Sequence, residues 1–179
     1  MDVYKFSTER MILEINNTTK QKINTKILQQ VADLFGQPRR RILYVSKLST
    51  TTDYLTPDLA KFYLRGKKMD VDNKEVSLAF VSGSDIKKLN KQYRNKNQET
   101  DILSFIGDDE NFLGEIIICY SKIKEQSKER KVSIKEELVF IFIHGLLHLL
   151  GYDDQTKKGH DEMMKLGNKL CKSILGSDL

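Results

Sequence analysis

The chain holds three histidines, and two of them stand four residues apart in the segment His144-Gly145-Leu146-Leu147-His148-Leu149-Leu150-Gly151-Tyr152-Asp153-Asp154. On a helix, positions i and i+4 lie one above the other on the same face, so both imidazoles can reach a single ion. Their neighbours are almost all apolar. A buried imidazole left without a partner would cost about 1–3 kcal/mol, and a divalent cation satisfies both rings at once. Gly151 lets the chain turn out of the helix, which brings Asp154 within reach as a third ligand. His160, further along the same segment, is the alternative third ligand. Three protein ligands leave one position of a zinc-type ion open, as a hydrolytic site requires and a closed structural site does not. Asp153 is expected to orient a ligand or to cap the turn. The competing account is a pair of core histidines satisfied by neighbouring polar groups. A chance i, i+4 pair followed by a glycine and a ligand-type residue makes that the poorer account.

One absence narrows the chemistry. Zinc proteases of the His-Glu-x-x-His type carry their general base directly after the first histidine. That position is Gly145 here, which has no side chain. The helix is metalloprotease-like, but the protease base is missing.

The elements that must position these residues are legible from periodicity. Residues 12–15 read as a short strand ended by Asn16-Asn17, and Ile23, Ile27, Val31 and Leu34 are spaced as one helix face. Gly36 and Pro38 are expected to stop that helix. Residues 42–45 are a possible strand, and a short helix is expected to begin at Pro57. Residues 76–81 read as a strand, and 84–93 as an amphipathic helix with Ile86, Leu89 and Tyr93 on one side. Residues 102–105 and 113–119 read as an antiparallel hairpin around the loop 107–111, and 121–130 as a polar helix. Ser133 and Glu136 have the form of a capping box opening a helix that runs through Leu150. Met163, Leu166, Leu170 and Ile174 mark a last helix. The sum is α+β: one domain over residues 1–179, with a small mixed sheet packed against helices and a central metal-binding helix.

Composition sets outer bounds. Of 179 residues, 39% are hydrophobic and 31% charged, with 2 prolines and 10 glycines, which excludes a long disordered or low-complexity chain. The apolar runs 138–143 and 146–150 are too short to span a bilayer, and the N-terminal segment is too polar for a secretory leader. Cys119 and Cys171 lie far apart and form no Cys-x-x-Cys pattern, so a reduced, cytoplasmic setting is expected. Cys119 ends an apolar strand as a small buried hydrophobe. A net charge of +5 suits a polyanionic partner. The cations cluster at Arg39, Arg40 and Arg41, at Arg65, Lys67 and Lys68, and at Lys87, Lys88, Lys91, Arg94 and Lys96. Tyr4, Phe6, Tyr54, Phe62 and Tyr63 have the chemistry to stack on bases, but nothing separates them from ordinary packing. Thr100 and Ser104 have no histidine relay and are expected to make structural hydrogen bonds.

The string HGLLHLLGYD resembles the signature of the YbeY family. Two further stretches agree with it: Leu89-Asn90 followed by Tyr93-Arg94-Asn95-Lys96 and Thr100-Asp101-Ile102-Leu103-Ser104-Phe105, then Leu113-Gly114-Glu115-Ile116. The match runs in order from about Val76 to Asp154. The resemblance implies a single-strand-specific endoribonuclease with one zinc-type divalent metal ion and a basic cleft, in which the family's important arginine falls on Arg94. It also implies work on rRNA, at the 3′ end of the small-subunit rRNA and in ribosome quality control, with the ribosome or ribosomal proteins as partners and no DNA or membrane. A guanidinium there would brace a phosphate through two hydrogen bonds. Whether water or a ribose 2′-hydroxyl attacks is left open.

Two departures stand out. The family's usual third ligand is histidine, where this chain has Asp154, an acceptable zinc ligand. Residues 36–70 are longer than the connection expected in the family and read as an atypical insertion. The alternatives are a non-catalytic ribosome assembly factor with a structural metal, or a metallohydrolase acting on another substrate.

Overall fold

A computed structural model describes residues 2–7, 11–35 and 74–176, with only the backbone given for 2–7 and Leu34. The elements in chain order are β1 (Asp2–Ser7), β2 (Met11–Asn17), α1 (Thr25–Phe35), β3 (Lys74–Val81), α2 (Gly83–Arg94), β4 (Ile102–Ile106), β5 (Phe112–Cys119), α3 (Tyr120–Glu129), α4 (Ile134–Leu149) and α5 (Lys157–Leu175). The strands form one sheet in the order β1-β2-β3-β5-β4. β1 pairs antiparallel with β2 and β4 with β5, whereas β2–β3 and β3–β5 are parallel. The fold is therefore α+β with a mixed sheet, as expected.

Alternation along the strands splits the core into two layers. Met11, Leu13 and Ile15 of β2, Val76, Leu78 and Phe80 of β3, and Ile116 and Ile118 of β5 point to one face, where they meet residues of α1, α3, α4 and α5. The opposite face is covered more thinly: Ile86 of α2 packs on Leu103, Ile117 and Cys119. Cys119 is fully buried, as expected.

The helix α4 is the centre of the larger layer. Ser133 accepts a hydrogen bond from the Glu136 N–H at 3.1 Å, and the Glu136 carboxylate accepts one from the Ser133 N–H at 2.7 Å, which is the expected capping box. Hydrogen bonding from the Ser133 side chain, and then from its backbone N–H, holds the Glu136 carboxyl below its usual pKa. Leu138 through Ile143 are all buried, so the helix shows no polar stripe before His144. Gly145 faces the sheet at close range. A Cβ there would lie 2.7 Å from Ile102 Cδ1 and 3.0 Å from Ile116 Cδ1.

Two local expectations need adjustment. β2 continues through Asn16 and Asn17, because Asn17 stays paired with Phe80 while its side chain donates to the Gln21 carbonyl at 3.0 Å. β1 is a strand that periodicity did not announce; an edge strand can be polar and still form if one neighbour pairs with it. Tyr93 lies at the rim of the layer that Ile86 and Leu89 join, against Phe105, and is 58% exposed. The readings placed on Gly36 and Pro38, on 42–45, on the helix from Pro57, on the insertion 36–70, and on the arginine and lysine clusters at 39–41 and 65–68 all lie outside the described residues, as do the side chains of Tyr4, Phe6, Tyr54, Phe62 and Tyr63.

Candidate metal centre

Burial of α4 decides where its two histidines can point. His144 and His148 project from the one side of the helix left uncovered, and their rings meet edge to face with centroids 4.6 Å apart. Their Nε2 atoms are 3.1 Å apart. His148 Nδ1 lies 3.1 Å from the Tyr152 carbonyl, which can only accept, so Nδ1 carries the hydrogen. In the neutral ring the lone pair is then on Nε2, toward His144. Burial, and then the neighbouring His148, push the His144 pKa down against the pull of Asp154, which favours the neutral imidazole that a cation requires.

The turn after α4 brings in the carboxylate. Gly151 has φ of 77°, a left-handed conformation that side chains rarely adopt, and its N–H donates to the His148 carbonyl at 2.8 Å. The Tyr152 N–H closes the turn on the Leu147 carbonyl at 3.0 Å. Asp153 Oδ1 then accepts from the Gln155 N–H at 2.9 Å, so this residue caps the turn. Thr156 caps α5 by accepting from the Gly159 N–H. Asp154, held between these ties, places Oδ2 at 3.7 Å from His144 Nε2 and 3.8 Å from His148 Nε2. Potential ligand atoms of His144, His148 and Asp154 all lie within 4.8 Å of one another, and these three can hold a metal ion. His160 lines the same cleft, exposed and outside that group.

The cleft has a volume of about 690 Å³, and Arg94, Lys96 and Arg130 share it with the three candidate ligands. Arg94 ends α2. Asn95 then turns the chain in a left-handed conformation, and the buried Asn90 side chain donates to the Gln98 carbonyl at 2.8 Å. That pair of devices directs Arg94 and Lys96 to the cleft. Asp101 anchors the other side of the loop. Its Oδ1 accepts from the Ile102 N–H at 2.8 Å and its Oδ2 from Gln126 Nε2 at 2.9 Å. Thr100 donates to Asp101 at 3.1 Å, as a structural role requires, but the buried Ser104 Oγ has no side-chain hydrogen bond among the described residues.

Sequence reasoning missed Arg130. It follows α3, lies 3.4 Å from the buried Glu137 carboxylate, and has its guanidinium 5.4 Å from the Phe140 ring centre. Burial pushes the Glu137 pKa up, and Arg130 opposes the shift. Nothing in a Lys/Glu-rich helix end distinguishes this arginine beforehand, because its partners are one helix away in the fold.

The family model for Endoribonuclease YbeY matches residues 45–175. Relatives named Endoribonuclease YbeY include the Finegoldia magna protein, 47% identical over 108 residues that cover 56% of this chain and 71% of that protein. Another is from Bacillus subtilis, 42% identical over 105 residues that cover 51% of this chain and 67% of that protein. The solution structure of a Thermotoga maritima protein is similar in fold, with a TM-score of 0.53 at 24% identity, over 91% of this chain and 90% of that one. No helix among the described residues is long and apolar enough to cross a membrane.

Proposed function

The chain belongs to the YbeY endoribonuclease family, and from that footing we propose that it is a metal-dependent endoribonuclease cutting single-stranded RNA. The rest of the reading is maturation of the small-subunit rRNA 3′ end and ribosome quality control, in the cytoplasm and in association with the ribosome. The observation that carries it is the meeting of His144, His148 and Asp154 in a cleft that also presents Arg94, Lys96 and Arg130.

His144, His148 and Asp154 would hold one zinc-type ion. The donor set fits: His148 turns Nε2 inward because Nδ1 is engaged with the Tyr152 carbonyl, and one carboxylate oxygen faces both rings. When bound, such an ion polarises a phosphoryl oxygen and lowers the pKa of water. Arg94 binds the phosphate at the bond to be cut and neutralises the charge that builds on it. Arg130, with its guanidinium near Phe140 and its charge shared with Glu137, fixes a second positive edge of the cleft. Peptide hydrolysis is disfavoured on geometry as well as composition. The Cβ direction of Gly145 leads to Ile102 and Ile116, so that position faces the sheet.

The test uses the untagged chain. Elemental analysis should find close to one transition-metal ion per chain, and chelation should stop cleavage of a single-stranded RNA. His148→Ala should lose bound metal and cleavage together. Retention of metal-dependent cleavage by that variant rules out the proposed centre.

A further inference from the structure

Beyond the cleft, α2 carries cations at 87, 91 and 94. This i, i+4, i+7 spacing puts them along one exposed stripe. Lys88 is tied to Asp85 at 3.1 Å, whereas Lys87, Lys91, Arg94 and Lys96 have no carboxylate partner among the described residues. The stripe ends at the cleft, since Arg94 and Lys96 line it. Next to Arg94 stands Tyr93, one of four large exposed hydrophobic residues among those described. Its ring meets Phe105 edge to face, with centroids 5.0 Å apart and planes at 65°. Phe105 is half-buried on β4, beside Ser104, which lines the cleft, and Ile106, which is 66% exposed.

A lone exposed tyrosine is ordinary. This one is braced by a second aromatic ring, so ordering it on binding costs little, and it directly precedes Arg94, the end of the cation stripe that lines the cleft. A single-stranded polynucleotide is the ligand that needs both features together, a charged backbone track and a flat apolar face for a base. A protein segment would use the apolar shelf but has no need of the cation stripe.

We propose that Tyr93, braced by Phe105, stacks one base of the RNA beside the cut site, and that Lys87 and Lys91 carry the strand's phosphates onward along α2. This inference rests on the endoribonuclease reading and adds a base subsite and a direction for the strand.

The test is cleavage kinetics of the full, metal-loaded chain on a single-stranded oligoribonucleotide long enough to reach past the cleft. Tyr93→Ala should raise KM about tenfold and leave kcat unchanged, while Tyr93→Phe and Tyr93→Trp keep the wild-type KM. One abasic nucleotide, moved along the strand, should reproduce that rise in the wild type at a single position. At that position it should have no further effect on Tyr93→Ala. Lys87→Ala with Lys91→Ala should reduce the dependence of log KM on log salt by about 1.4, two phosphate contacts on a single strand. A wild-type KM for Tyr93→Ala, or a fall in kcat alone, overturns the subsite and leaves the shelf to a protein partner. If the wild-type chain cleaves no RNA, the endoribonuclease reading fails first and the subsite falls with it.

Discussion

The two walls of the cleft are built in opposite ways. On one wall, His144 and His148 stand on a helix buried almost all round, and Asp154 follows on a turn tied down by the Gly151 and Tyr152 N–H groups and by Asp153. On the other, Arg94 and Lys96 are exposed at the end of α2, a helix seated on a small cluster around Ile86, Leu103 and Ile117. The contrast follows from what each wall has to hold. An ion requires its ligands within about 0.2 Å of fixed distances, and dense packing supplies that accuracy. Cations that meet a phosphate backbone act over several ångströms and tolerate motion. They also keep full charge at no desolvation penalty when they stay in water. The buried wall should respond to change in an all-or-none way, the open wall gradually and with sensitivity to salt.

The sharpest way to break this comparison is at Asp154, the one of the three grouped ligands that is not on α4. Even a hydrogen-bond partner behind a metal ligand is worth about 10–100-fold in affinity, so Asp154→Ala should exceed hundredfold. Competition with a chromophoric chelator measures it. Asp154→His should keep the ion, since imidazole is as good a zinc ligand as carboxylate. Wild-type affinity in Asp154→Ala would hand the third position to His160 and move the buried wall onto α5. Arg94 is next in size. Arg94→Ala should lower kcat/KM about hundredfold, the range for losing one charge-stabilising donor, with bound metal unchanged. Arg94→Lys should recover only part of this, because a point charge cannot reproduce a two-pronged contact. Loss of metal from Arg94→Ala would show that the two walls are not independent.

The same contrast explains how much of the molecule was legible beforehand. The buried wall was readable because its determinants are local: an i, i+4 histidine pair, a glycine at the turn, and a serine–glutamate capping box all act within a few residues. So was the strand and helix order from Val76 onward, where alternation and helical spacing reflect one-sided burial. The open wall was readable only in part. Arg94 was named through the family resemblance and not through any physical signal of its own. Arg130 was missed because its meaning comes from Glu137 and Phe140, which only tertiary packing brings near it. Tyr93 shares the side of Ile86 and Leu89, as helical spacing indicates, and meets Phe105 at the rim of the second layer, yet it is 58% exposed there. Spacing reports which way a residue faces, and not how far the neighbouring layer extends.

Gly145 gives the smallest effect and the finest test of the buried wall. It adjoins His144 in sequence, but its open side is against the sheet, with Ile102 Cδ1 at 2.7 Å and Ile116 Cδ1 at 3.0 Å from a Cβ built there. Both contacts are with the ends of flexible side chains, which can swing aside, while Ile116 Cγ2 at 3.2 Å must give by a few tenths of an ångström. Overpacking of this kind costs about 1–3 kcal/mol, and alanine returns about 1 kcal/mol as a better helix former. The net loss in Gly145→Ala should be on the order of 1 kcal/mol, read from the denaturation midpoint, with bound metal retained. An equal loss of metal affinity would mean that the histidines register shifts of a few tenths of an ångström in α4. A gain in stability would mean that the helix is held off the sheet by something other than its glycine. The same geometry bears on the missing protease base: a glutamate at 145 would first have to bury its carboxylate between two isoleucines, which disfavours it strongly.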